Sequence, residues 1–187
     1  MARTKADNRA RLLQAAEMTT YRYGFGNTAI ADIAKEARIP LGNVYYYFKT
    51  KDEIGDAIVE LRVARFRRLL EEFEKGGSPK ERLCAFVQIK IKNREELARS
   101  GCPVGTLCSE LRKLGSASAG KSKILFAIAL EWMEKQFREL GKGAQSRGLA
   151  VHLLSATQGV SVLAHTFHDP RLIDMEAARL KEWICSL

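Results

Sequence analysis

Apolar residues recur at three- and four-residue spacing along almost the whole chain, and no segment alternates apolar and polar residues as a half-buried strand does. That period commits the chain to helices packed on helices and leaves no material for a sheet. The first helix is predicted from about Asp7 to Tyr23, ending at Gly24-Phe25-Gly26. A short helix follows over Ala29 to Ala37, with Ile30, Ile33, Ala34 and Ala37 on one face and Thr28 as its expected N-cap. Pro40 opens another short helix that carries "LGNVYYYF", where its missing N–H costs little. A longer one begins near Lys51, with Asp52 and Glu53 placed to favour its N-terminal dipole, and runs to the break "GGSP". Beyond it the spacing predicts helices over about Pro79–Arg99, Cys102–Leu114, Lys121–Leu140, Gly148–Phe167 and Met175–Ser186, joined by "GSASAG", "GKGAQSRG" and "HDPRLID".

The 187 residues, 46% hydrophobic and 28% charged, suffice to bury a core. No apolar run approaches the roughly 18 residues of a membrane span. The opening "MARTKADNRARLLQAAE" lacks the apolar stretch of a secretory signal, so a cytoplasmic protein is expected. The net charge of +9 favours an anionic partner, nucleic acid ahead of a membrane surface. Cys84, Cys102, Cys108 and Cys185 form no CxxC pair, and His165 and His168 share a helical face without a ligand cluster. Neither a metal nor a cofactor is expected.

The stretch "GSASAGKS" (115–122) satisfies the phosphate-cradling pattern G-x-x-x-x-G-K-[ST] letter for letter. That pattern works only between a strand and a helix, with an acidic residue ending a second strand to hold Mg²⁺. Here "LCSELRKL" before it reads as a helix, while Asp169 and Asp174 sit in a polar turn. The stretch is therefore expected to be a corner between helices, with Ser118 or Gly120 capping the next one and Lys121 and Lys123 in water.

Residues 28–51 carry a different constellation: two short helices joined by a tight turn, the second rich in polar and aromatic residues. That is the helix-turn-helix pattern, whose second helix enters the DNA major groove. The exposed N-terminal side chains of such a helix read base edges. Here they are Leu41, Gly42 and Asn43: Asn43 suits a base edge, Gly42 lets backbone approach DNA, and Leu41 suits a thymine methyl. Tyr45 and Tyr46 offer hydroxyls to phosphate oxygens, and Lys49 and Lys51 add positive charge. Val44, Tyr47 and Phe48 have the spacing of the inward face.

The segment "GNTAIADIAKEARIPLGNVYYYFKTKDEI" closely resembles the signature of the TetR family of bacterial transcriptional regulators. Thr28, Ile30, Ile33, Ala34, Ala37, Ile39, Gly42, Val44, Tyr45, Tyr47, Phe48, Lys51 and Ile54 fall in step with it, and "RLLQAAEMTTYRYGF" resembles the family's first helix. Arg38 stands where the family usually has a turn glycine, which means either an altered turn or a left-handed Arg38. Thr19-Thr20 replaces a usual Leu-Phe pair and thins the apolar face of the first helix, with Tyr21, Tyr23 or Phe25 available to compensate.

The resemblance implies an all-α protein. Residues 1–52 would be a three-helix helix-turn-helix DNA-binding domain, and residues 53–187 a helical effector-binding and dimerisation domain. It implies that Thr28 caps the second helix near a phosphate, that Leu41, Gly42, Asn43 and Tyr46 face the groove, and that Tyr45 and Lys51 contact the DNA backbone. It further implies a homodimer on a near-palindromic double-stranded operator, a small-molecule effector, no enzymatic activity and no membrane partner. The dimer is expected on the helices at about 148–167 and 175–186, through Leu149, Leu153, Ala156, Val160, Leu163 and Phe167. Phe86, Phe126, Trp132, Met133 and His165 are candidate effector-pocket residues, each also suited to the core. Pro103 places Cys102 at a helix start, where free N–H groups favour thiolate, with Arg94 and Arg99 nearby in sequence. Cys102 is thus either a candidate sensor of electrophiles or oxidants, or a small buried hydrophobe.

Overall fold

Several helix ends in this chain fall at glycines that take left-handed backbone. In the computed structural model, which describes residues 5–187, Gly24 at φ +87° ends α1 (Lys5–Tyr23) and Gly101 at φ +76° ends α6 (Arg94–Ser100). The remaining helices are α2 (Ile30–Ala37), α3 (Leu41–Tyr47), α4 (Lys51–Glu74), α5 (Pro79–Lys92), α7 (Pro103–Lys113), α8 (Ala119–Ser122), α9 (Ile124–Glu139), α10 (Ser146–Phe167) and α11 (Arg171–Ser186). A 3-10 turn precedes α10, and no strand forms among the described residues. Residues 1–4, which begin the expected first domain and the charged N-terminal segment, lie outside the described residues.

Several predicted boundaries shift for local reasons. The helix expected over 79–99 breaks at Asn93, whose N–H and side-chain amide both donate to the Ile89 carbonyl, at 3.1 and 2.8 Å. The last helix begins at Arg171 rather than Met175. Asp169 accepts the Arg171 N–H at 3.0 Å, as a helix-opening carboxylate does. The chain forms two compact units. One is Met1–Ala64 with Thr106–Ile124, the other Arg65–Gly105 with Leu125–Leu187, so the division falls inside α4 and α7.

In the first unit α1 packs on α2 and α2 on α3. Leu12, Ala16, Ile33, Ala37, Val44, Phe48, Ile54 and Ile58 are buried there. Each large aliphatic so buried stabilises the fold by about 1.5–3 kcal/mol. Thr19 and Thr20 are buried as well, and their hydroxyls are satisfied inside the helix by the Ala15 and Ala16 carbonyls at 2.8 and 2.7 Å. Of the aromatics available to compensate, Phe25 is buried and Tyr23 is exposed.

The "GSASAGKS" stretch belongs to this unit. It follows the helix α7 rather than a strand, and it leads into the four-residue α8. Two of its side chains grip the start of α4: Ser116 donates to the Asp52 carboxylate at 2.5 Å and Ser118 to the Asp52 carbonyl at 2.9 Å, while Lys121, exposed as expected, pairs with Asp56 at the surface. Ser118 stands at the N-cap position of α8 without capping it, because its hydroxyl is committed to α4. Lys123 is exposed, as expected.

In the second unit α11 packs on α5 and α10, and α10 on α6. One apolar cluster includes Leu83, Phe86, Trp132, Met133, Phe137, Leu153 and Ile184. A smaller one comprises Leu97, Ala98, Cys102, Val160, Ala164 and Ile173. Gln136, fully buried, is satisfied on both sides: its carbonyl oxygen accepts from Arg82 at 3.3 Å and its amide donates to Glu74 at 2.8 Å.

Candidate nucleic-acid interface

The turn between α2 and α3 sets the direction of α3. Arg38 takes the left-handed conformation, φ 52° and ψ 49°, at the place of the expected glycine. Its N–H bonds the Lys35 carbonyl and the Ile39 N–H bonds the Ala34 carbonyl, both at 3.0 Å, closing the α2 end. Arg11 of α1 donates to the Ala37 carbonyl and holds the same corner. Pro40 then caps α3, and the Asn43 N–H bonds the Pro40 carbonyl at 2.9 Å.

On α3 the two faces separate cleanly. Val44 and the capping Phe48 are buried, and Tyr47 is half-buried. Leu41, Gly42, Asn43, Tyr45 and Tyr46 are exposed together, Tyr46 at 60%. A side chain built at Gly42 would meet nothing within 4 Å. Lys49, just past the helix, is exposed too. Sequence periodicity did not indicate that α1 joins this surface. Lys5 donates to the Tyr46 hydroxyl at 2.9 Å and lies 5.1 Å over its ring, while the Arg9 guanidinium lies 5.2 Å over Phe48. The hydrogen bond from Lys5 holds the Tyr46 phenol below its usual range. The basic residues "MARTKADNR" were the one available signal, but their target was not readable.

Two expected placements change. Thr28 does not cap α2: it is buried, and its hydroxyl donates to the Gly24 carbonyl at 2.8 Å. Ala29 is the N-cap residue, without a side-chain cap of its own, and the Asp32 carboxylate accepts its N–H at 2.8 Å. Lys51 is half-buried rather than free for phosphate. Its ammonium donates to the Gly26 carbonyl at 3.0 Å and lies 4.9 Å over the Phe25 ring, and burial lowers its pKa.

In the second unit, Cys102 is buried at the start of α7. Its Sγ accepts the Gly105 N–H at 3.4 Å and lies 3.9 Å from the Lys90 ammonium. Arg94 and Arg99, the expected neighbours, are engaged elsewhere: Arg94 with Glu95 and Asp174, Arg99 with Glu96. A Cβ at Gly105 would sit 2.7 Å from Gln158 Oε1 and 3.8 Å from the sulfur, so glycine leaves the thiol its niche. Of the expected pocket residues, Phe86, Trp132 and Met133 share one cluster with half-buried Phe126 against it, Phe86 and Trp132 having ring centroids 6.1 Å apart. The Trp132 indole N–H is buried with no hydrogen-bond partner among the described residues. His165 stands apart from them, exposed on α10, its Nδ1 3.2 Å from the Ala98 carbonyl and its ring beside His168. The expected dimer stripe also divides. Leu153 and Val160 turn into the unit's own core, whereas Leu163 and Phe167 are exposed with Val151 and Val162.

No helix is long and apolar enough to cross a membrane, and no group of three or more His, Cys, Asp or Glu residues is placed to hold a metal ion, among the described residues. A family model described as bacterial regulatory proteins of the tetR family matches residues 12–58, which cover α2 and α3. The chain is 30% identical over 146 residues to the transcriptional regulator AcuR of Cereibacter sphaeroides, covering 77% of this chain and 64% of that one. It is 32% identical over 111 residues to the HTH-type transcriptional repressor NemR of Escherichia coli, covering 58% and 56%. The match thus spans less than two thirds of either relative. Two solved structures share the fold over nearly the whole chain. A TetR transcriptional regulator from Legionella pneumophila has TM-score 0.84 at 20% identity, covering 99% and 97%. The reduced form of E. coli NemR has TM-score 0.83 at 20% identity, covering 94% and 96%. With the signature seated on a left-handed turn and an outward-facing α3, and with these relatives, the chain belongs to the TetR family of bacterial regulatory proteins.

Proposed function

We propose that this protein is a cytoplasmic DNA-binding transcriptional regulator, a repressor acting as a homodimer on a near-palindromic operator and released by a small molecule or an electrophile. The observation that carries the reading is the face of α3 that exposes Leu41, Gly42, Asn43, Tyr45 and Tyr46 while Val44 and Phe48 anchor it. Asn43 reads a base edge, Leu41 meets a thymine methyl, and Tyr45, Tyr46 and Lys49 hold phosphates, with the backbone contacts supplying register rather than sequence. Thr28 and Lys51 act from inside, by shaping the turn that carries α2.

The exposed line Val151, Ser155, Gly159, Val162, Thr166 on α10, continued by Leu163 and Phe167, supports the homodimer. It is an apolar, small-residue face at helical spacing, and two copies related by a two-fold axis would cover it. The cluster of Phe86, Phe126, Trp132 and Met133 is the proposed effector site, where the unpartnered Trp132 N–H would meet an acceptor on the ligand. Cys102 is the proposed electrophile sensor. The Lys90 ammonium and the Gly105 N–H lie against its sulfur, which would add to the β-carbon of an α,β-unsaturated carbonyl while the thiol proton is lost and the α-carbon takes a proton. Effector or adduct must favour the form that does not bind DNA, since a ligand indifferent to the two forms shifts nothing.

The test is a gel shift of the purified chain on DNA upstream of its own gene, over a range of salt, before and after an α,β-unsaturated aldehyde. Specific retardation at physiological salt, lost on treatment and kept by Cys102→Ser, is the expected result. Absence of any specific fragment sinks the regulator reading. Loss of binding in Cys102→Ser on treatment sinks the sensor alone.

A further inference from the structure

Two cysteines outside the proposed sensor sit on packed helices, Cys84 on α5 and Cys185 on α11. Lys80 of α5 donates to the Cys185 carbonyl of α11 at 2.7 Å, and two turns further along α5 Gln88 accepts from Lys181. The order is reversed along the two helices, so they run antiparallel, and Cys84, midway between Lys80 and Gln88, falls opposite the last turn of α11. Its thiol lies near enough to that of Cys185 to feel it. Cys84 is half-buried and packs against the main apolar cluster, whereas Cys185 is exposed. Leu180 and Ile184 are buried, so the helix that carries Cys185 is held in place without help from the pair. Burial first, and then the neighbouring thiol, push the Cys84 thiol up, which keeps it protonated while Cys185 meets solvent.

We propose that Cys84 and Cys185 are an oxidation site for hydroperoxides, at which a disulfide staples the C-terminal helix to α5. The exposed Cys185 thiolate attacks one peroxide oxygen. An S–O bond forms, the O–O bond breaks, and the leaving oxygen takes a proton to depart as water or an alcohol. Cys84 then attacks the Cys185 sulfur, forming the S–S bond and breaking S–O, and its own proton leaves with the hydroxide as water. The two thiols give up two electrons and the peroxide takes them. The closed loop is about 100 residues long, and a cross-link constrains the unfolded chain more the longer the loop it closes.

The experiment uses the full chain, reduced, desalted and treated with hydrogen peroxide, followed by peptide mapping without reductant and by thermal melting. The expected result is a peptide joining Cys84 to Cys185 within one chain, two thiols lost, and a melting midpoint raised until dithiothreitol reverses it. Cys185→Ser, at an exposed position, removes both the link and the shift and leaves Cys84 reduced, while Cys102→Ser keeps both. A disulfide between Cys185 residues of two chains, a sulfinic acid at Cys185 beside a free Cys84, or no loss of thiol at either position overturns the proposal. None of these readouts depends on DNA binding.

Discussion

The Glu110 carboxylate accepts the Gly26 N–H at 3.1 Å and packs against Gly24, so the turn that leads into α2 is held from the far end of α7. A Cβ at Gly24 would stand 2.8 Å from Glu110 Oε1, on backbone at φ +87° that side chains rarely adopt. Gly24→Ala is therefore expected to destabilise the protein by about 2 kcal/mol. Glu110→Ala should cost about 1 kcal/mol. Because the pair is in contact, the double variant should lose less than the sum. Urea unfolding followed by circular dichroism measures all three, and strict additivity would show that the two residues act independently.

Arg38 points to a stabilising change. A left-handed non-glycine residue costs about 1–2 kcal/mol, part of which glycine returns through its freer unfolded chain. Arg38→Gly should thus raise stability by about 0.5–1 kcal/mol in urea unfolding. A loss would mean that the Arg38 side chain makes a contribution larger than the strain it carries.

Acid should act through Glu74. The ammonium of Lys135 at 2.6 Å holds its carboxyl below the ordinary glutamate value of 4.5, against burial and with help from Gln136 and Arg82. A carboxyl with a lowered folded pKa adds stability above its unfolded value, and that stability fades as pH falls through the folded one. Glu74→Gln should be less stable than the natural chain near neutral pH, and the gap should close as pH falls from about 5 to about 3. Denaturant midpoints taken across that range decide it. A gap constant with pH would rule out the ion pair as the cause.

If α3 reads DNA as proposed, its side chains should fail in two different ways. Asn43→Ala should weaken specific binding by about 1–3 kcal/mol and relax the preference at a single base pair. Lys49→Ala should weaken every sequence alike and lower the salt slope by about 1. Fluorescence anisotropy on operator variants at several salt concentrations separates the two. Equal loss on all sequences for Asn43→Ala would remove it from the base-reading set.

Helical spacing, the glycine stops and the 28–51 constellation were legible from the chain alone, because each depends on neighbours a few residues apart. So were the alternation of Val44 and Phe48 with Tyr45 and Tyr46, and the option of a left-handed Arg38. Tertiary structure decided what lies far apart in sequence. It turned Thr28 inward to Gly24, drew Lys51 to Gly26, set Ser116, Ser118 and Lys121 of "GSASAGKS" onto α4, and replaced the expected arginines beside Cys102 with Lys90. It also moved His165 away from the aromatic cluster and brought Cys84 to Cys185 across about 100 residues. A local pattern specifies which face of a helix is apolar, but not which partner covers it. The packing of distant helices chooses the partner, and with it the hydrogen bonds left for each polar side chain to make.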